Sequence, residues 1–154
     1  MFNNFKSCAT FLTDISFWGS RIINDDGSVV MLDKILEITP NIKNFYIYFN
    51  NDFSMIDALS MKNICKLKNL QNLKFFFIGH IPEVFNVEDL STFITDHPET
   101  TIDFDFNDEI SEAYKIQLDT LIDTVIESKV PNRLINYSGQ NPGKYKIMSD
   151  RYYR

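Results

Sequence analysis

Apolar and polar residues alternate in five short stretches along the chain. The cleanest is Ile102-Asp103-Phe104-Asp105-Phe106, apolar at every second position. Ile15-Ser16-Phe17-Trp18, Phe45-Tyr46-Ile47-Tyr48-Phe49, Leu73-Lys74-Phe75-Phe76-Phe77 and the weaker Ile135-Asn136-Tyr137 complete the set. A period of two belongs to a strand with one buried face. Between these stretches the period lengthens to that of a helix. Leu32, Ile35 and Leu36, with Ile38 less squarely placed, share one side of 31–38, and Pro40 closes the segment. Met61, Ile64 and Leu67 do the same within 60–67. Asn86 is positioned to cap 87–96, where Glu88 and Asp89 favour the first turn and Leu90, Phe93 and Ile94 form the apolar stripe. The longest helix is expected over 111–128, carried by Tyr114, Leu118, Leu121, Ile122, Val125 and Ile126. Residues 142–154 form a last short helix or fray.

With Ile15, Phe45, Leu73, Ile102 and Ile135 taken as equivalent, a strand-helix unit recurs about every 29 residues, the mark of a repeat architecture. Parallel strands side by side, with helices outside them, are the expected result. The spacing Leu67-x-x-Leu70-x-x-Leu73-x-Phe75 is that of a leucine-rich repeat, and Ile42-x-x-Phe45-x-Ile47-x-Phe49 repeats its later part with bulkier residues. The Asn or Cys usual downstream is missing. The expected fold is therefore α/β: a short leucine-rich-repeat-like solenoid of about five parallel strands with outer helices, spanning 1–154 as a single domain. Residues 1–30 form its first repeat or cap, and 142–154 its tail. A small two- or three-layer α/β domain with the same element order is the competing reading.

Alternation also proposes a surface. If Ile15, Phe17, Phe45, Ile47, Phe49, Leu73, Phe75, Phe77, Ile102, Phe104 and Phe106 point inward, the intervening residues line the concave face. These include Trp18, Tyr46, Tyr48, Lys74, Phe76, Asp103 and Asp105, the expected partner-binding residues. Tyr and Trp offer large contact area at small entropic cost, and the carboxylates favour a protein partner with basic residues. Two plainer readings compete: Phe76 and Ile78 are covered because the strand is buried on both faces, and Trp18 only caps the core.

Composition narrows the function classes. The chain has 154 residues, of which 44% are hydrophobic and 14% aromatic, with only 5 Gly and 5 Pro. Such a chain builds a core and does not read as a linker or a disordered tail. Its net charge of -6 supplies no cation excess for the counterion release that drives nucleic-acid binding. Thr13, Asp14 and Ser16 break the apolar run near the start, so no signal peptide is expected. No window approaches the roughly 18 apolar residues of a membrane span. Cys8 and Cys65 form no framework. An intracellular location, with no membrane and no nucleic-acid partner, is the expectation.

No catalytic motif, metal site or cofactor site is expected. Asp103-x-Asp105-x-Asn107 opens like a calcium loop, but Asp108 and Tyr114 stand where Gly and Glu are needed. Gly139 to Lys144 lacks the spacing and the Ser/Thr of a phosphate loop. His80 and His97 lie near element ends without ligand spacing, and His97 is placed to meet helix-end carbonyls. Both cysteines sit among apolar residues and read as core. The acidic residues Glu109, Glu112, Asp119, Asp123 and Glu127 read as a solvated helix face.

The stretches Leu32-Asp33-Lys34-Ile35-Leu36-Glu37-Ile38-Thr39-Pro40-Asn41-Ile42, Lys66-Leu67-Lys68-Asn69-Leu70-Gln71-Asn72-Leu73, Ile81-Pro82-Glu83-Val84-Phe85 and 109–123 carry a family texture. It covers roughly residues 31 to 148 and resembles the C-terminal region of the expanded nematode F-box protein families. The resemblance implies a non-catalytic module that holds the substrate of a cullin ubiquitin ligase, tied to the ligase by an F-box and a Skp-type adaptor. No Leu-Pro-led F-box helix trio precedes residue 31, so the adaptor is expected only where an F-box stands elsewhere. A self-associating scaffold module is the alternative, and an enzyme the less favoured third.

Overall fold

The computed structural model describes residues 2–154. Strands and helices alternate along it: α1 (Phe2–Ala9), β1 (Asp14–Trp18), α2 (Leu32–Glu37), β2 (Asn44–Tyr48), α3 (Ser60–Cys65), β3 (Phe75–Ile81), α4 (Val87–Asp96), β4 (Thr101–Phe106), α5 (Glu112–Ser128), β5 (Arg133–Asn136) and α6 (Pro142–Tyr152). The fold is α/β, with an all-parallel sheet in the sequential order β1-β2-β3-β4-β5.

One face of this sheet holds the core. Phe45, Ile47, Phe76, Ile78, Ile102 and Phe104 meet Leu32, Ile35, Leu36, Ile64, Leu90, Phe93, Leu118 and Ile122 from the helices. The Phe76 ring lies 4.6 Å from Phe93 of α4, and Phe106 lies 5.8 Å from Tyr114 of α5. Helices α2 to α5 pack side by side in chain order over this face. The expected Asn86 cap forms, its side chain accepting from Glu88 N at 2.8 Å, and Ser111 lies outside α5 as its cap, its Oγ accepting from Tyr114 N at 3.2 Å.

The C-terminal segment is a helix and does not fray. Asn141 Oδ1 accepts from Gly143 N and Lys144 N, with Pro142 in the first turn. This helix, α6, packs on β5, and Leu134 is only 4% exposed although its register partner Asp103 belongs to the other face from the core. Lys144 pairs with Asp119 and Asp123, and Arg151 Nη1 donates to Ile126 O at 2.9 Å, so α6 is tied to α5 while covering the sheet's last strand. At the other end, α1 precedes β1, and Phe2, Phe5 and Ala9 give it an apolar side that the strand-based reading of residues 1–30 overlooked.

One expectation about faces is overturned. Register pairs Phe45 with Phe76 and Phe76 with Ile102, so Phe76, not Leu73, is the equivalent of Ile15, Phe45 and Ile102. An offset of an odd number of residues flips every side chain. Phe76 is therefore 0% exposed in the core with Ile78, while Phe75 and Phe77 face the other way. Leu73 is buried as well, but in the turn before the strand, which is why it mimics a strand position.

Each strand entry is tied to the preceding unit by a side chain that reaches a main-chain carbonyl. Asn41 Nδ2 donates to Thr10 O at 2.6 Å, Asn69 Nδ2 to Leu36 O at 2.8 Å, and Thr100 Oγ1 to Leu73 O at 2.8 Å. Arg133 supplies the last rung, donating to Thr100 O, and also to His97 O and Pro98 O. The Thr10, Leu73 and Thr100 carbonyls lie outside helices and strands, while the Leu36 carbonyl in α2 also accepts from Thr39 N.

Candidate functional site

The face of the sheet opposite the core is covered by α6 over β5 and carries a cluster of rings over β1 to β3. Register sets its rows. Trp18 stands beside Tyr48 and Tyr48 beside Gly79; Ser16, Tyr46, Phe77, Asp103 and Leu134 form the row below; Asp14, Asn44, Phe75 and Thr101 form the third. The Trp18 and Tyr48 rings stack at 5.3 Å, and Tyr46 stacks on Phe75 at 4.6 Å with 20° between planes. Trp18 is 67% exposed, so it does not act as a core cap. Tyr46, Tyr48, Phe75 and Phe77 are half-buried by one another.

Gly79 is what lets the rings close over β3. A Cβ at that position would stand 2.6 Å from Phe77 Cζ and 2.7 Å from Tyr48 Cδ2, inside contact distance. The missing side chain is the space those two rings occupy.

Asp103 and Asp105 lie at the α6 side of the rings, partly buried. Burial, and then the neighbouring Asp105, push the Asp103 carboxyl up to about 6, while a hydrogen bond from Tyr152 of α6 works against that rise. Tyr152 itself is pushed up by burial and by Asp103. Asp105 Oδ1 accepts from Asn136 Nδ2 at 2.7 Å. At the far edge Asp14 accepts from Thr13 Oγ1 and from Asn44 Nδ2, which hold its carboxyl below the usual range.

The expected residues are thus distributed unevenly. Trp18, Tyr46, Tyr48, Asp103 and Asp105 share this face. Lys74 lies just before β3 and is exposed at the amino-terminal edge. Phe76 is a correction: it is core, and Phe75 and Phe77 supply the rings instead. The signal was the Phe75-Phe76-Phe77 run, which fits either parity equally well.

His80 was also missed as part of this surface. Its ring lies 5.7 Å from Tyr48 and 6.1 Å from Phe53, both stacked, and its Nε2 donates to Asn51 Oδ1 at 3.0 Å. Its backbone has φ +57, a left-handed conformation that turns the chain at the end of β3. His97, by contrast, stacks on Phe93 at 4.3 Å, and Arg133 takes the helix-end carbonyls expected for it. Burial pushes the Cys65 thiol up to about 11, with Asp89 and Asp96 adding to it, and Sγ donates to Asp89 O at 3.3 Å. Such a thiol stays protonated at neutral pH.

Among the described residues no group of three or more His, Cys, Asp or Glu side chains is placed to hold a metal ion, and no helix is long and apolar enough to cross a membrane. No family model matches the sequence, and no curated protein and no solved structure matches the chain.

Proposed function

We propose that the chain is a non-catalytic protein-binding module, built as a short leucine-rich-repeat-like solenoid, whose open sheet face holds an extended basic segment of a partner protein. The observation that carries this reading is the surface formed by Trp18, Tyr48, Tyr46, Phe75 and Phe77 beside Asp103 and Asp105. Rings ordered by one another before binding lose little entropy on contact. Large rings with carboxylates beside them match a segment that offers both apolar and cationic side chains.

The sequential strand order and the recurring carbonyl rungs at Asn41, Asn69, Thr100 and Arg133 support the solenoid reading. Strand pairs with strand and helix with helix in chain order, as in a repeat stack. The resemblance to F-box proteins extends the proposal: in a product carrying an F-box, this face would present a substrate to a ligase through a Skp-type adaptor.

The experiment is affinity capture from cells with the wild-type chain and with Tyr46→Ala/Tyr48→Ala, followed by affinity measurement with the purified captured protein. A partner lost in the double variant supports the face. A chain that recovers only copies of itself favours self-association, and retention of every partner by the variant removes the aromatic face from the account.

A further inference from the structure

Strand β1 is an end strand of the sheet and pairs only with β2. In a parallel ladder alternate residues turn their main-chain groups to the neighbouring strand, and the others turn them away. Asn44 N donates to Thr13 O and Gly19 N to Tyr48 O, so the odd-numbered residues serve β2. Asp14, Ser16 and Trp18 therefore present their main-chain groups on the free side. Of these groups, among the described residues, Trp18 O alone accepts a hydrogen bond, from Ser20 Oγ at 3.2 Å. The other end of the sheet is sealed differently. Gln140 Nε2 donates to the outward Ile135 O of β5 at 3.2 Å, and α6 packs on that strand. β1 carries none of the Lys, Pro or bulge by which edges are blunted.

Two surfaces flank this edge. On the side of the rings stand Asp14, Ser16 and Trp18, all exposed. On the helix side an open groove of about 500 Å³, lined by Phe5, Phe17, Ile22 and Ile23 among others, lies against β1. Arg21, which also lines it, is already paired with Asp52 at 2.8 Å.

We infer that an extended segment of the partner adds to β1 as a sixth, antiparallel strand, with basic side chains beside Asp14 and Trp18 and apolar ones in the groove. The inference rests on the docking reading proposed above and says where the segment's backbone goes. An extended chain lying flat on a sheet face leaves its own N–H and C=O groups without protein partners, whereas an edge supplies a row of them. Antiparallel pairing lets each outward residue exchange both bonds. Alternation then sorts the side chains, every second one beside the rings and the rest beside the groove. Charge selects the class of segment. The chain has a net charge of -6 and Asp14 ends the row, so a cation is favoured there, and the 67% exposed Trp18 ring offers it a face. A second copy of the chain would bring a further -6 to the same edge.

The test is an amide NMR titration, with hydrogen exchange, of the full chain and acetyl-Lys-Val-Lys-Val-Lys-amide. Its Glu-for-Lys counterpart and two forms N-methylated at the central Lys or at the first Val are run beside it. The basic peptide is expected to bind saturably in the millimolar range and to slow exchange of the Ser16 and Trp18 amides about tenfold when bound. Methylating the central Lys, whose N–H faces β1, should abolish binding; methylating the first Val, whose N–H faces away, should leave it unchanged. The Glu peptide should bind roughly tenfold more weakly. Ser16→Pro removes an edge donor that β2 does not use, so it should keep the fold and lose the peptide, while Ser16→Ala keeps both. Should Ser16→Pro unfold, the two methylated peptides on the wild-type chain still decide. No saturable binding, equal binding of the two methylated forms, equal binding of the Glu peptide, or no protection at Ser16 and Trp18 would each overturn the inference. A dimer in sedimentation that Ser16→Pro abolishes would assign the edge to a second copy and overturn it too. Partner capture separates the two ideas. A partner kept by Ser16→Pro and lost in Tyr46→Ala/Tyr48→Ala sinks the edge alone, while one lost in Ser16→Pro and kept by the double variant sinks the ring face alone.

Discussion

The Phe76 ring of β3 stacks 5.6 Å from that of Phe45 on β2, inside the core and against α4. Its two chain neighbours, Phe75 and Phe77, therefore have to stand on the opposite face beside Tyr46. One strand thus serves two surfaces with the same residue type, and substitution separates their roles. Phe76→Ala should destabilise the fold by about 3–5 kcal/mol through lost burial and the cavity left behind. Tyr46→Ala or Phe75→Ala, half-buried at a surface, should lose roughly 1 kcal/mol and retain the folded state. Chemical denaturation of the three variants at constant pH checks the order.

Arg133 is 2% exposed and joins β5 to the carbonyls that end α4. Burial pulls its guanidinium below the usual arginine range, with Glu99 acting the other way. Removing it strands several carbonyls at once. Arg133→Ala should destabilise by about 3 kcal/mol or more, and Arg133→Lys should recover only part, because an ammonium cannot span the same set of acceptors. Thermal unfolding followed by circular dichroism reads both.

Asp103 makes stability pH-dependent, and the sign follows from its raised carboxyl. Folding lifts it from 3.8 to about 6, so between those values the folded chain binds more protons than the unfolded one. Its contribution is fully present below about pH 4 and is lost as pH rises through 6. Asp103→Asn should therefore stabilise the protein at pH 7 by about 1–3 kcal/mol and flatten that part of the stability profile. Tyr152→Phe removes the hydrogen bond that opposes the rise and should steepen it. Urea midpoints from pH 4 to pH 7.5 test the pair of variants.

Gly79 ties ring placement to binding. Gly79→Ala puts a methyl where Phe77 and Tyr48 now lie, and both rings must move. We expect a loss of about 1–3 kcal/mol in stability and a weakened partner even where the chain still folds. Gly27→Ala, where no atom lies within 4 Å, controls for crowding, though its φ of +86 brings a conformational penalty of its own.

Element type and order were legible because each strand and helix carries its own period. Ile102 to Phe106 alternates without a break, and the residues of α5 keep helical spacing over several turns. Face assignment in β3 was not legible, because Phe75, Phe76, Phe77 and Ile78 are apolar at both parities and the partner register alone decides between them. The carbonyl rungs were hidden for a related reason. Asn41, Asn69 and Thr100 precede strands and Arg133 opens β5, three residue types in all, and only the fold shows that they do one job.

The most direct measurement is the affinity of the captured partner for the wild-type chain and for Tyr46→Ala/Tyr48→Ala, taken by calorimetry beside a circular dichroism spectrum of each. The account predicts a loss of at least roughly tenfold in affinity with the spectrum unchanged. Equal affinities would contradict it, and so would a double variant that unfolds, since those rings would then belong to the core.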